Sequence, residues 1–369
     1  MKFLKPDYDK SIVSVSNSVL KYFKVKCNHN SLKYLDDYLL LSKPKNVVLV
    51  LFDGLGYNIL KRNKEACPFL YKYLKQSISS VFPTTTMAAR TSIESGLNPV
   101  EHGWLGWDMY FKDFDEVITL TRNVIKGTNK KPANYHVAKT LLKYESIVEK
   151  INKQENCYAE KLSVYSNHPN ESLDKFIKKI NKITKRKEKT YTYVYYNEPD
   201  HVMHKTGTDS NETKKYLIKI DKWFRKICNK LKDTLVIAIA DHGHINTTHI
   251  TLLEHPSIMK MLDGDVSIDN RACSFRVKKE YKKEFLYKLK KLLKDDFIYY
   301  TKDDVIKEKL YGKGIENKYF RDGLGDYFAI GISNVSIRQD DKSSLNASSH
   351  SGLTEDEMLV PLIIYSKGK

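Results

Sequence analysis

Three aspartates, three histidines and one threonine are the residues whose types and spacing could do chemistry: Asp53, Asp200, Asp241, His204, His242, His350 and Thr86. Asp53 follows Asn46 to Phe52, Asn-Val-Val-Leu-Val-Leu-Phe, and Asp241 follows Thr234 to Ala240, Thr-Leu-Val-Ile-Ala-Ile-Ala. Nearly continuous apolar runs of this length read as parallel strands covered on both faces. In open α/β sheets the carboxyl ends of such strands are where ligands bind. A third run, Thr190 to Tyr196, leads into Pro199-Asp200-His201-Val202-Met203-His204. A short helix opening at that proline places Asp200 and His204 at i and i+4 on one face, where both can hold a single ion. Asp241-His242-Gly243-His244 ends its strand, with Gly243 read as the turn residue that leaves Asp241 and His242 facing one crevice. His350 lies in Ser348-Ser349-His350-Ser351-Gly352, just before the last apolar run, Leu359 to Tyr365.

Mixed carboxylate and imidazole donors suit zinc, or manganese where carboxylates dominate, better than calcium or magnesium. Six donors are enough for two divalent ions. Two such ions against three aspartates leave one net positive charge, which an alkoxide on Thr86 would neutralise. That threonine belongs to Phe82-Pro83-Thr84-Thr85-Thr86-Met87-Ala88-Ala89-Arg90. Ser77 to Val81 reads as a strand stopped by Pro83, and Thr86 to Ser95 as a helix closed by Gly96. A hydroxyl at a helix N-terminus faces unpaired N–H groups and the positive end of the dipole, which favour an alkoxide or a phosphoryl group. The plain alternative for any of the three threonines is an N-cap. Thr84 lies in the approach to the turn and Thr85 is expected to point away, so Thr86 is the expected nucleophile.

The elements that must position these groups follow from hydrophobic periodicity. Ile12 to Val25 and Leu32 to Leu41 read as two short helices, and Asn211 to Leu231 as a longer helix crossing one face of the sheet. Between His249 and about Lys342 the character changes: Arg271 to Lys278 reads as a strand, Tyr281 to Leu293 as an amphipathic helix, Phe297 to Thr301 as a strand, and Gly325 to Ile337 as a strand pair. The expectation is an α/β protein with a central mixed, mostly parallel sheet between helices, the core formed by residues 1–248 and 343–369. Residues 249–342 are expected to form a small α+β cap insertion that sets specificity.

The chain has 369 residues, enough for a large core. Its formal charge of +18 is spread over the whole sequence, and the basic run Lys178 to Lys189 has no interleaved aromatics. Nucleic-acid binding is therefore a weak reading. Five cysteines, Cys27, Cys67, Cys157, Cys228 and Cys273, show no Cys-x-x-Cys pair, as in a reducing compartment. The run Val47 to Phe52 is too short to cross a bilayer, and Met1 to Asp7 has no apolar segment behind its lysines. The expectation is a soluble cytoplasmic protein.

In order, type and spacing, Asp53, Phe-Pro-Thr-Thr-Thr86, Glu-Pro-Asp200-x-x-x-His204, Ala-Asp241-His242-Gly243 and His350 resemble the alkaline phosphatase superfamily. Within it the chain is most similar to the type I phosphodiesterase and nucleotide pyrophosphatase branch, from roughly Val47 onward. The resemblance implies two zinc ions and a transiently phosphorylated Thr86. Asp200, His204 and His350 would hold one ion, and Asp53, Asp241, His242 and the Thr86 oxygen the other. It implies a metal-dependent hydrolase of phosphodiester or phosphoanhydride bonds acting on a small phosphorylated substrate such as a nucleotide. Where that family has an asparagine for phosphoryl oxygens, this chain has Trp107, with Asp108 as its polar neighbour, so both are candidate substrate contacts. A phosphomonoester or phosphonate hydrolase is the alternative enzyme on the same metal core. With no arginine evident at the phosphate, a monoanionic group is favoured over a dianion.

Overall fold

The computed structural model describes residues 3–166, 173–339 and 345–366. The expected core boundary at 342/343 and the residues Met1 and Lys2 lie outside them.

Asn46–Phe52 is buried at every position, because helices cover both faces of its sheet. It pairs in parallel with Lys189–Tyr196 on one side and Thr234–Ile239 on the other. Across the sheet the order is Leu74–Ser79, Leu359–Ser366, Thr234–Ile239, Asn46–Phe52, Lys189–Tyr196, Cys157–Val164. Only Leu359–Ser366 runs against its neighbours, so the sheet is mixed and mostly parallel as expected. Ile12–Tyr22, Thr86–Ser95 and Ile147–Asn152 pack together in one helical layer; Pro68–Lys72, Leu173–Thr184 and Asn211–Lys230 form the other.

Two strands of this sheet differ from the sequence reading. The strand before Pro83 spans Leu74–Ser79, earlier than Ser77 to Val81, because its limits are set by antiparallel pairing with Leu359–Ser366. Cys157–Val164, at the edge, was given no element; its burial is uneven because one side has no neighbouring strand.

A second, seven-stranded sheet lies beside the first, in the order Phe297–Thr301, Tyr327–Gly331, Ala272–Phe275, Ser267–Asp269, Asp108–Phe111, Glu116–Thr119, Val124–Ile125. All its pairings are antiparallel. It draws on residues 108–125 as well as on the insertion. Helix Lys282–Leu293 covers one face through Phe285, Leu289 and Leu293. The pair expected within Gly325 to Ile337 does not form. Tyr327–Gly331 joins the second sheet, whereas Val335–Arg338 pairs in parallel with Thr248–Thr251.

The sheets are joined by a buried ion pair. Arg271, fully buried, donates from Nε and Nη2 to the two carboxylate oxygens of Glu357, each at 2.7 Å, and from Nη1 and Nη2 to the carbonyls of Val335 and Ser333. Glu357 also accepts from the N–H of Gly352 and the hydroxyl of Thr354. A planar guanidinium matched to a carboxylate in this way fixes distance and orientation together.

Candidate active site

Parallel register brings the chemistry to one sheet edge. Phe52 is level with Tyr196, and Leu51 with Ile239, so the segments that follow leave the sheet side by side. The N–H of Asp200 donates to the carbonyl of Asp53, and the N–H of Gly54 to Asp241 Oδ1. Gly54 has φ +74°, and a Cβ there would lie 3.0 Å from Asp200 and His244. Gly243 serves differently from the turn role expected of it: a Cβ would lie 1.9 Å from the carbonyl oxygen of Asp356. Close backbone approach, rather than a positive φ, requires glycine there.

Two groups of side chains that could hold a metal ion result: Asp53, Asp241 and His242, and Asp200, His204, His244 and His350. In each group, ligand atoms lie within 4.8 Å of one another. All four imidazoles are held the same way. Nδ1 of His204 lies 2.9 Å from the carbonyl of Ser348, that of His242 3.0 Å from the carbonyl of Gly243, and that of His350 3.0 Å from the carbonyl of Thr84. Nδ1 of His244 lies 3.0 Å from Ser348 Oγ, which itself donates to the carbonyl of Met203. Each Nδ1 is thereby held by the protein, and each Nε2 is directed at the carboxylates. Outer partners of this kind orient metal-ligating histidines.

The charge arrangement points the same way. Burial, then the neighbouring Asp241 and Asp200, hold the Asp53 carboxyl well above its usual range. Burial works to raise Asp200 too, but His204 and His244 outweigh it and hold that carboxyl well below. Burial pushes His244 down to about 4, and burial with His242 nearby pushes His350 well down. Asp241 Oδ2 is buried without a hydrogen-bond partner among the described residues. Crowded carboxylates, an orphaned oxygen and converging Nε2 atoms are relieved together by metal cations, so the residues present fit such ions.

His244 is the site residue that sequence reasoning missed. Its Nε2 is 2.5 Å from Asp200 Oδ1. The signal was the second histidine in Asp241-His242-Gly243-His244, two residues beyond a candidate ligand at the end of the same strand.

Thr86 opens helix Thr86–Ser95, with Gly96 at its left-handed C-cap. Its Oγ1 lies 3.1 Å from His242 Nε2 and 3.4 Å from Asp53 Oδ1. The other two hydroxyls are engaged elsewhere. Thr84 Oγ1 donates to the carbonyl of Gly352, and Thr85 Oγ1 donates to Asp269 Oδ2 at 2.7 Å. Thr85 occupies the N-cap position, yet its side chain makes no cap bond. The plain capping alternative is thereby not realised, and Thr86 alone of the three faces the ligand groups.

The two candidate substrate contacts fare differently. Trp107 is 41% exposed, and its N–H donates to the carbonyl of Ile268. Asp108 is already satisfied: Thr119 Oγ1 donates to one oxygen at 2.6 Å and Lys126 Nζ lies 3.0 Å from the other. Among the described residues neither forms a hydrogen bond or ion pair with Thr86 or the ligand groups. The second sheet reaches the site instead through Asp269, which holds Thr85, and Asn270, whose Oδ1 accepts from Ser349 Oγ at 3.0 Å. Trp104 is buried and donates from its indole to the carbonyl of Leu142, so it packs beneath the loop.

The family model for type I phosphodiesterase / nucleotide pyrophosphatase matches residues 47–352. Among solved structures, murine ectonucleotide pyrophosphatase / phosphodiesterase 5 is similar over 87% of this chain and 88% of its own, with a TM-score of 0.65 and 16% identity. An inactive threonine-to-alanine form of the murine protein, in complex with AMP, gives 0.64 and 16% over 86% and 87%. The human protein gives 0.64 and 18% over 86% and 87%. A comparison with curated proteins finds no match.

Proposed function

The chain belongs to the type I phosphodiesterase / nucleotide pyrophosphatase family, metal-dependent hydrolases that act on nucleotide substrates, and from that premise we propose that it cleaves phosphodiester or phosphoanhydride bonds by covalent catalysis through Thr86. The observation that carries this reading is the placement of Thr86 Oγ1 at a helix N-terminus, 3.1 Å from His242 Nε2 and 3.4 Å from Asp53 Oδ1, while Thr84 and Thr85 are engaged elsewhere. The inactivity of the threonine-to-alanine form of the murine relative supports it.

In this reading Asp200, His204, His350 and the newly found His244 hold one divalent ion, and Asp53, Asp241 and His242 the other. Zinc is the preferred assignment and manganese the second. Such ions, when bound, lower the pKa of a nearby hydroxyl and offset phosphoryl charge. The first turn of the helix from Thr86 directs its free N–H groups at the phosphoryl oxygens. Thr86 Oγ1 forms a bond to phosphorus as the bond to the leaving oxygen breaks, and its proton passes by way of Asp53 Oδ1 to that leaving oxygen. Water then cleaves the phosphothreonine ester and returns the hydroxyl. Tyr195, which donates to Asp53 Oδ2, keeps that carboxylate in place throughout. The five cysteines are free thiols, which supports a reducing compartment, and we extend the proposal to a cytoplasmic enzyme. Among the described residues no helix is long and apolar enough to cross a membrane.

The test compares bis-aryl and mono-aryl phosphate esters with zinc or manganese added to purified protein. The diester is expected to show the higher kcat/KM, and a preference for the monoester would move the assignment to a phosphomonoesterase. Metal analysis of Asp200→Ala and Asp241→Ala should each show loss of about one ion of about two.

A further inference from the structure

Helix Thr86–Ser95 is buried along its length except at Thr86, Met87 and Arg90. Residues at i, i+1 and i+4 lie within one side of a helix, with i and i+4 about 5–6 Å apart at Cβ. The stripe that exposes the nucleophile therefore also exposes Arg90. Its guanidinium lies 3.8 Å from the centroid of the Tyr195 ring, and the hydroxyl of that tyrosine bonds Asp53. A fixed cation thus stands one tyrosine ring away from a ligand carboxylate.

Arg90 is anchored without being neutralised. Its Nε donates to Glu94 Oε1 at 2.8 Å. Glu94 is shared, since Lys161 Nζ lies 2.6 Å from its other oxygen and the Tyr144 hydroxyl also donates to it. Two cations on one carboxylate leave a surplus positive charge. Both Nη groups of Arg90 take no partner among the described residues, and the side chain keeps 21% of its exposure. A stacked guanidinium with its ring-side face fixed and its Nη edge free is suited to a planar, bidentate contact with phosphate or carboxylate.

Resting on the reading of Thr86 as nucleophile in a phosphodiesterase site, we propose that Arg90 is a specificity-determining residue that binds a second anionic group of the substrate, carried on the part that stays linked to the scissile phosphoryl. The preferred substrates are then diesters bearing a further phosphate or carboxylate, such as the 5′-esters of nucleoside 3′,5′-bisphosphates.

Two substrates isolate this contact: thymidine 5′-(p-nitrophenyl phosphate), and the same compound with a 3′-phosphate, which share leaving group and scissile bond. The wild type should favour the 3′-phosphorylated compound. Arg90→Gln should lower that preference about tenfold, mainly through KM, and Arg90→Lys should restore only part of it, because the charge remains but the planar bidentate edge does not. An unchanged ratio in Arg90→Gln would overturn the inference, as would equal losses on both compounds, which is what a structural ion pair with Glu94 predicts. A turnover-free measurement separates this from the reading beneath it. Calorimetry on the Thr86→Ala protein, with and without Arg90→Gln, compares adenosine 3′,5′-bisphosphate with AMP. The bisphosphate should lose about tenfold more affinity than AMP, and equal losses would again overturn the inference. A wild type that binds but cleaves neither ester would count against the phosphodiesterase reading while the binding ratio still decides the role of Arg90.

Discussion

The two sheets meet at the site but serve it differently. Among the described residues, the mostly parallel sheet and the elements it carries supply every metal-ligating candidate and Thr86, from the segments that leave its carboxyl edge or flank it. The antiparallel sheet supplies none of these. Its residues act one step back: Asp269 holds Thr85, Asn270 holds the loop of His350 through Ser349, and Arg271 ties the same loop to the core through Glu357. The difference teaches that chemistry here needs donors delivered by parallel register, whereas the added sheet needs only to clamp the loops that complete the constellation.

The sharpest test of this division is Thr86→Ala. At least about a thousandfold loss in kcat is expected, roughly 4 kcal/mol of transition-state stabilisation, with metal content unchanged. Thr85→Ala, which removes a methyl and a hydroxyl held by the second sheet, should lose far less, and mapping of a trapped adduct should place it on Thr86. Equal losses would erase the distinction between the sheets.

Breaking the clamp should act on stability. Arg271→Ala leaves Glu357 buried and unpaired, at a cost on the order of 3 kcal/mol in denaturant unfolding. Replacing both by apolar residues of similar size should recover much of it. A single variant of full stability would show that the two sheets are not held through this pair.

The chain crosses from one sheet to the other past His102, which gives a pH test. The N–H of Trp104 donates to its Nδ1, so the ring proton is on Nε2, facing Ser92 Oγ at 3.0 Å. Burial pushes the imidazole down to about 3. The unfolded chain takes up a proton below about 6.5 while the native state does not, so this contribution is intact above that pH and declines as pH falls toward 3. Stability should be about 2 kcal/mol lower at pH 5 than above pH 7 on this account, and His102→Gln should flatten that slope. The smallest effect is expected from Trp107→Ala: within about 0.5 kcal/mol in stability, with unchanged metal content. A large loss of kcat/KM there would mean the second sheet touches substrate directly.

Much of the first region was legible in the chain. Asn46 to Phe52 is apolar throughout because both faces are covered, and its boundaries match the strand. The helix Thr86–Ser95 and its closing glycine were also readable, since capping and periodicity act over a few residues. The spacing of Asp200 and His204 required only a helical turn. Tertiary structure decided what depends on partners distant in sequence. His244 joins Asp200 only because two strands end side by side, and Asp108 is satisfied by Thr119 and Lys126 through the pairing of short antiparallel strands. Residues 108–125 belong with the strands of 267–331 because unpaired edges there find each other. Arg90 shares the exposed side of its helix with Thr86 because the rest of that helix is buried. Local periodicity reports which face of an element is apolar, but register and partner are set by packing between segments far apart in the chain, where a short strand carries too little pattern of its own.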